Sequence, residues 1–121
     1  MPENNDVRRE NISKARILVV DNHQFMREGI KLFLNRQGDM ALCSEASDLV
    51  TALEAIQQSN PELVVLELKL RNGDVLEFIK AVRVRFPSLR ILILSEYEEA
   101  MYAERALRAG AHGYVLKREP A

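Results

Sequence analysis

The run Leu63-Val64-Val65-Leu66, closed by Glu67, decides the fold of this chain. Continuous apolar runs of this length are typical of strands that are buried on both faces of a parallel sheet. Glu67 needs a partner at the end of that run, because charged side chains are almost never fully buried alone. In open α/β sheets, ligands collect just outside the carboxyl ends of the strands. The sequence therefore predicts a central strand that delivers one carboxylate to a site.

The composition is that of an ordinary globular domain. The chain has 121 residues and a formal net charge of -1, which fits a single domain and gives no reason to expect a nucleic-acid or membrane surface. No apolar run approaches the ~20 residues that cross a bilayer. The single cysteine, Cys43, excludes an internal disulfide and suits a reducing cytosol. We therefore expect a cytoplasmic protein.

Strand and helix patterns alternate along the chain. Further apolar runs at 16–20, 40–44, 90–94 and 113–117 predict four more strands. Helical periodicity begins near residue 24, after a cap at Ser47 or Asp48, after Asp74, and near Glu98. The predicted inner face of the first helix comprises Phe25, Met26, Gly29, Ile30, Phe33 and Leu34, and that of the second comprises Leu49, Val50, Leu53 and Ile56. This alternation predicts an α/β fold, a doubly wound five-stranded parallel sheet.

The two ends of the chain differ from this pattern. Residues 1–14 are polar and without a sustained apolar period, so we expect a flexible N-terminal tail before a domain at 15–118. The pattern stops after the fifth strand, whereas a doubly wound sheet needs a last helix to cover the face beside the first helix. We expect that helix to be missing, through truncation or because it is supplied from elsewhere, and apolar sheet surface to be exposed.

Polar side chains follow four of the predicted strands. Asp21, Glu67, Ser95 and Lys117 each stand at the end of an apolar run. Parallel strands place them at one edge of the sheet, where two carboxylates, a hydroxyl and an ammonium group come together. We therefore expect this edge to be the functional site.

Three stretches now show a resemblance to a known family. ILVVDNHQFMREGIKLFL, PELVVLELKLRNGD and RILILSEYEEAMYAERALRAGAHGYVLK resemble the receiver domain of two-component response regulators. The last stretch is similar to receivers that precede LuxR-type helix-turn-helix output domains. The resemblance covers about residues 15–118 and implies a flavodoxin-like sheet of order 2-1-3-4-5. It also implies a cytoplasmic regulatory domain, not an enzyme, that forms a homodimer and acts on an output DNA-binding domain or another regulatory protein. We expect no nucleic acid to bind to this chain itself.

The resemblance also implies roles for the residues at the sheet edge. In the family, a carboxylate at the end of the third strand takes a phosphoryl group from a histidine kinase, and Mg²⁺ held by an acidic pair neutralises the charge. By position, Glu67 matches the phospho-acceptor and Asp21 with Asn22 matches the acidic pair. Ser95 and Lys117 match the hydroxyl and the lysine that bind the phosphoryl oxygens. Tyr114 matches the aromatic side chain that moves inward with the hydroxyl.

Two of these positions depart from the family pattern. The acceptor is normally Asp, and Asn22 replaces an acid that contacts the metal. Mg²⁺ demands near-octahedral geometry and carboxylate ligands, so the set Asp21, Asn22, Glu67 and Lys69 is expected to be a degenerate site that holds no metal or other cofactor. The longer Glu67 could instead pair with Lys117 and accept from Ser95. We therefore predict a phosphorylation-independent receiver that regulates transcription through an absent output domain, and that is held near an active-like arrangement, switched by something other than phosphate, or inert.

Two other functions stay open. The first is an active Mg²⁺-dependent phospho-acceptor in a histidine-kinase phosphorelay. The second is a flavodoxin-like cofactor binder, which needs a phosphate loop rich in Ser, Thr or Gly after the first strand, and residues 21–25 supply none. For self-association we favour the side of the first helix. The fourth helix offers a second apolar surface at Tyr97, Met101, Tyr102, Ala106 and Leu107.

Overall fold

The computed structural model describes residues 14–68, 70, 74–95 and 100–116. Five strands alternate with four helices along this part of the chain. The strands are β1 (Ala15–Val20), β2 (Met40–Ala46), β3 (Leu63–Glu67), β4 (Arg90–Ser95) and β5 (Gly113–Leu116). The helices are α1 (Gln24–Asn35), α2 (Leu49–Ser59), α3 (Val75–Arg85) and α4 (Ala100–Ala109). None of the described helices is long and apolar enough to cross a membrane.

The strands form one parallel sheet in the order β2-β1-β3-β4-β5. β3 lies at its centre, paired with β1 through Val20 and Leu66 and with β4 through Glu67 and Leu94. The predicted fold class and strand order are confirmed. The apolar runs were informative because strands in the middle of a parallel sheet have to be apolar on both faces.

The two faces of the sheet are covered unequally. The larger core joins side chains of β1, β3 and β4 to the inner faces of α2, α3 and α4. The smaller core lies on the other face, where Leu34 and Ile30 of α1 pack against Ile17 and Val19. The alternation along β4 and β5 directs Leu92, Leu94 and Val115 to this second face. They are only partly buried, and Val115 is 39% exposed. Apolar sheet surface beside α1 is therefore exposed within the described residues, as expected.

Local side-chain chemistry sets the helix ends. Asp48 accepts a hydrogen bond from the Thr51 N–H and caps α2, and Asp74 caps α3 by accepting from two N–H groups of its first turn. Asn60 ends α2 in the left-handed conformation, with φ of 51°. Gly110 follows α4 with φ of +127°, and a Cβ there would lie 2.3 Å from Cγ of Arg83. That position needs glycine for both conformation and space.

The predicted inner faces of α1 and α2 are partly wrong. Phe25 is 95% exposed and Phe33 is also largely exposed, whereas Ile30 and Leu34 point to the sheet. In α2, Val50 is exposed, and the small side chains of Ala52 and Ala55 are buried beside Leu49 and Ile56. Both helices have more apolar residues than fit on the face that packs against the sheet, so helical periodicity alone did not identify the buried residues.

Some predictions fall outside the described residues. The predicted tail does so except for Lys14, which is exposed and in no regular element. Lys69, Tyr97 and Lys117 are likewise among the residues that the structure does not describe.

Candidate functional site

Three of the predicted site residues meet at the carboxyl edge of the sheet. Asp21 directly follows β1, Glu67 is the last residue of β3, and Ser95 is the last residue of β4. These strands are adjacent, with Val20 paired with Leu66 and Glu67 with Leu94. The structure thus places Asp21, Glu67 and Ser95 at the same edge of the sheet, and their functional roles stay predictions.

All three side chains are deeply buried. Asp21 is 2% exposed, Glu67 is 4% exposed and Ser95 is 0% exposed, and they are the buried polar or charged residues of the described chain. Burying an ionised carboxylate is costly unless it is paired or hydrogen-bonded. None of the three is without a partner. This edge therefore holds an interior polar cluster, in contrast to the solvated strand ends that a sheet edge usually presents.

Asp21 is fixed by contacts to its carboxylate and to its backbone. Its Oδ1 accepts from the His23 N–H at 2.9 Å and lies 3.0 Å from His23 Nδ1, which assigns a ring proton to Nδ1. Its carbonyl oxygen accepts from Arg27 Nη1 at 2.6 Å, and its N–H donates to the Ala46 carbonyl. Arg27 also donates through Nε to Glu45 Oε1 at 3.0 Å. The loop after β1 is therefore tied both to α1 and to the end of β2.

Arg27 and His23 were not recognised from the sequence. Arg27 lies within one of the quoted stretches, but its contacts with Asp21 and Glu45 join α1 to two strand ends. Helical periodicity cannot reveal such contacts, because it gives only neighbours on the same helix. A histidine two residues after a strand-end carboxylate is the one signal that could have indicated the Asp21–His23 pair.

Asn22 contributes a buried oxygen of a different kind. Its Oδ1 is buried and makes no hydrogen bond to any part of the chain that the structure describes. Leaving a buried acceptor without a donor costs about 1–3 kcal/mol. An acceptor oxygen of this kind indicates a position where a hydrogen-bond donor or a cation binds.

We tested whether the residues at this edge fit the Mg²⁺ that the resemblance implies. The described acids at the edge are two, Asp21 and Glu67, and Asp21 Oδ1 already accepts from His23. Nowhere in residues 14–68, 70, 74–95 and 100–116 do three or more His, Cys, Asp or Glu side chains form a group that could hold a metal. Mg²⁺ takes carboxylates and waters in near-ideal octahedral geometry. The edge thus offers two carboxylates and the Asn22 amide oxygen, one acid fewer than the family pattern implies, and the expectation that it holds no Mg²⁺ stays a prediction.

Tyr114 lies on β5, opposite Ile93 of β4. Its side chain is half-buried and packs against the larger core. It has an interaction partner, so its ring is not free at the surface. The tyrosine is therefore on the face of the sheet that carries α4, and its predicted role as a moving aromatic side chain stays a prediction.

Comparisons with known proteins agree with this geometry. The sequence model of the response regulator receiver domain matches residues 17–121. The oxygen regulatory protein NreC of Staphylococcus carnosus is 35% identical over 107 residues, covering 87% of this chain and 49% of that protein. The chain therefore belongs to the response regulator receiver family, and its relatives include response regulators of the LuxR type.

Solved structures support the same assignment. The receiver domain of the response regulator NarL from Mycobacterium tuberculosis has a TM-score of 0.83 at 31% identity, covering 89% of this chain and 87% of that chain. A LuxR-family two-component response regulator from Aurantimonas has a TM-score of 0.83 at 34% identity, covering 88% and 76%. The chain spans about half the length of the curated relatives that it matches.

Proposed function

We propose that this receiver domain regulates transcription without being phosphorylated, through an output domain outside the described residues. The observation that carries the proposal is the chemistry of the buried edge, where Glu67 occupies the acceptor position and Asn22 supplies an amide in place of a second acid. Relatives named as regulatory proteins support the transcriptional part. We also propose that the domain acts in the cytoplasm and has no enzymatic activity of its own.

The length of Glu67 opposes phosphoryl transfer. Catalysis of this reaction depends almost entirely on positioning and on charge stabilisation. Glutamate carries its carboxylate one carbon–carbon bond farther from the backbone than aspartate, about 1.5 Å, and a misplacement of about 1 Å can slow a reaction ~10²-fold. β3 is central and paired on both sides, so its backbone cannot withdraw to compensate.

The loss of one acid opposes the reaction independently. The phosphoryl group brings negative charge next to Asp21 and Glu67, which are already buried carboxylates. A divalent cation would have to neutralise that charge, and the acidic set at this edge is one carboxylate smaller than the family pattern implies, which weakens its hold on Mg²⁺. Without the cation, Coulomb repulsion in a low-dielectric edge opposes the transfer.

The same edge is consistent with a permanently set conformation. The Glu67 carboxylate at the end of β3 reaches one carbon–carbon bond farther than that of an aspartate, in the direction of a phosphoryl group, at the same sheet edge as the buried Ser95. We propose that Glu67 occupies the place of the phosphoryl group and accepts from Ser95 and Lys117. The domain then holds one arrangement.

One observation favours the alternative, a Mg²⁺-dependent phospho-acceptor. The buried Asn22 Oδ1 lacks a donor among the described residues, and amide oxygens also coordinate hard cations. The two functions differ in whether this edge responds to Mg²⁺ and a phosphoryl analogue.

Amide NMR spectra with beryllofluoride and Mg²⁺ separate these functions. The matched control is the double variant N22D/E67D, which restores the acidic set that the family pattern implies. We expect the wild-type amides of Asp21, Glu67 and Ser95 to stay unshifted at saturating reagent, and those of the double variant to shift. Shifts of equal size in the wild type would establish the phospho-acceptor function instead.

We also propose that the domain forms a homodimer on the side of α1. Leu32 and Phe33 of α1 and Val115 of β5 are exposed apolar side chains, and exposed apolar surface marks interaction sites. On α4, Met101 and Leu107 are exposed but Ala106 is buried, so that surface is narrower than the sequence indicated. A mass by light scattering that corresponds to a dimer for the wild type and to a monomer for F33D supports dimerisation through this surface. A wild-type monomer at micromolar concentration contradicts it.

A further inference from the structure

A concave surface of the described chain lies at the amino edge of the sheet, opposite the polar edge. A groove of about 700 Å³ opens between the C-terminal ends of α2 and α3, below the first residues of β1, β3 and β4. Its floor is apolar and includes Ile56, Pro61, Leu63, Phe86 and Leu89. Small-molecule sites are typically clefts of roughly 300–1,000 Å³ with a mostly apolar lining. The groove has the volume and lining of such a site.

Four arginines surround this apolar floor. Arg90 lines the groove directly, and the guanidinium of Arg85 lies 5.3 Å from the centre of the Phe86 ring. Arg16 donates to the carbonyls of Ser59 and Asn60, and Arg83 donates to those of Pro87 and Leu89 at 2.8 and 3.4 Å. Asn60, Pro87 and Leu89 are themselves lining residues. A guanidinium has five N–H donors, so two backbone bonds do not exhaust it.

Positive charge is added to the rim by residues next to the lining. Among the lining residues themselves Arg90 and Glu62 balance, and Glu62 Oε1 accepts from the backbone N–H of Arg16. Arg16, Arg83 and Arg85 each contact a lining residue and contribute three further positive charges. The pKa of His112 is lowered, first by burial and then by the positive charges of Arg83 and Arg90. Positive charge is therefore concentrated around the groove.

We propose that this groove binds a small amphipathic anion, an apolar ring or chain that carries one carboxylate, sulfonate or phosphate group. The apolar body lies on Leu63, Phe86 and Leu89, and the anionic group lies at the rim between Arg85 and Arg90. Guanidinium groups recognise such anions through charge-assisted, bidentate hydrogen bonds. The site is at the opposite edge from Glu67, so binding does not depend on whether Glu67 accepts a phosphoryl group.

The probe for this site is 8-anilinonaphthalene-1-sulfonate, with the uncharged N-phenyl-1-naphthylamine as its neutral counterpart. Amide NMR titrations locate the probe, and fluorescence titrations give both affinities. We expect shifts centred on Ala15, Leu63 and Leu89 and tighter binding of the sulfonate. The variant R85Q/R90Q removes two exposed charges that donate to no backbone carbonyl in the described contacts. It should lower the affinity for the sulfonate about tenfold and leave the affinity for the neutral probe unchanged.

The matched control is K31Q/R105Q, which removes two exposed positive charges from α1 and α4. It should leave both affinities unchanged. If only the net charge of the protein mattered, K31Q/R105Q would lower the affinity for the sulfonate as much as R85Q/R90Q does. Shifts centred instead on Leu92, Leu94 and Val115 would assign the probe to the exposed sheet face and overturn the proposal. Equal affinity for the two probes, or no saturable binding up to millimolar concentration, would overturn it as well.

Discussion

Replacing Arg27 by methionine tests what holds the loop that carries Asp21. The Arg27 side chain is 18% exposed, donates to the Asp21 carbonyl at 2.6 Å and pairs with Glu45 at 3.0 Å. A hydrogen bond from a charged donor contributes about 1.5–3 kcal/mol, whereas an ion pair with a partly exposed partner contributes about 0.2–1 kcal/mol. R27M should therefore lower the free energy of unfolding by about 2–3 kcal/mol, and E45Q by less than about 1 kcal/mol.

Urea denaturation followed by circular dichroism measures both values. K31M is the control, because Lys31 is an exposed residue of the same helix, and it should be within about 0.5 kcal/mol of the wild type. In a domain of this size a loss of 2 kcal/mol corresponds to a fall in Tm of about 8 °C. The Asp21 and His23 amides should also shift in R27M and not in E45Q. Equal destabilisation by R27M and E45Q would refute the assignment of the larger contribution to the carbonyl bond.

Three further changes test other parts of the structure. His112 Nδ1 accepts from the Ile91 N–H, and the pKa of His112 is lowered first by burial and then by the charges of two arginines. The unfolded chain therefore binds more protons than the folded chain at acidic pH. The free energy of unfolding should fall as the pH drops below 6.5. Urea titrations at several pH values check this, and H112Q should flatten the profile. D74A removes the acceptor of two N–H groups of α3 and should cost about 1 kcal/mol in thermal unfolding, against a negligible change in E77A. G110A adds a Cβ 2.3 Å from Arg83 Cγ at φ of +127° and should cost more than about 1 kcal/mol. Because R83A itself removes the bonds to Pro87 and Leu89, R83A/G110A is compared with R83A: in that background G110A should cost less, since the clash is gone, but still more than zero, because the backbone strain remains.

The strands were predictable because their burial is encoded locally. β1, β3 and β4 are apolar at nearly every position, since both faces of each strand are covered or partly covered. The polar residues that follow them then had to meet at one edge, because parallel strands end on the same side. Asp21, Glu67 and Ser95 were found in this way.

The features that could not be predicted from the sequence depend on tertiary contacts. The exposure of Phe25 depends on where α1 lies on the sheet, and the role of Arg27 depends on the approach of α1 to β2. The basic groove combines residues that are far apart in sequence, such as Arg16 and Arg90, so no local pattern indicates it.

The most direct test of the central proposal is the intact mass of the protein after incubation with acetyl phosphate and Mg²⁺. The N22D/E67D variant serves as the positive control, since it restores the acidic set of the family pattern. The wild-type mass should stay unchanged while the double variant gains one phosphoryl group. A wild-type protein that gains one phosphoryl group, and loses it in E67Q, would contradict the proposal that Glu67 takes the place of that group.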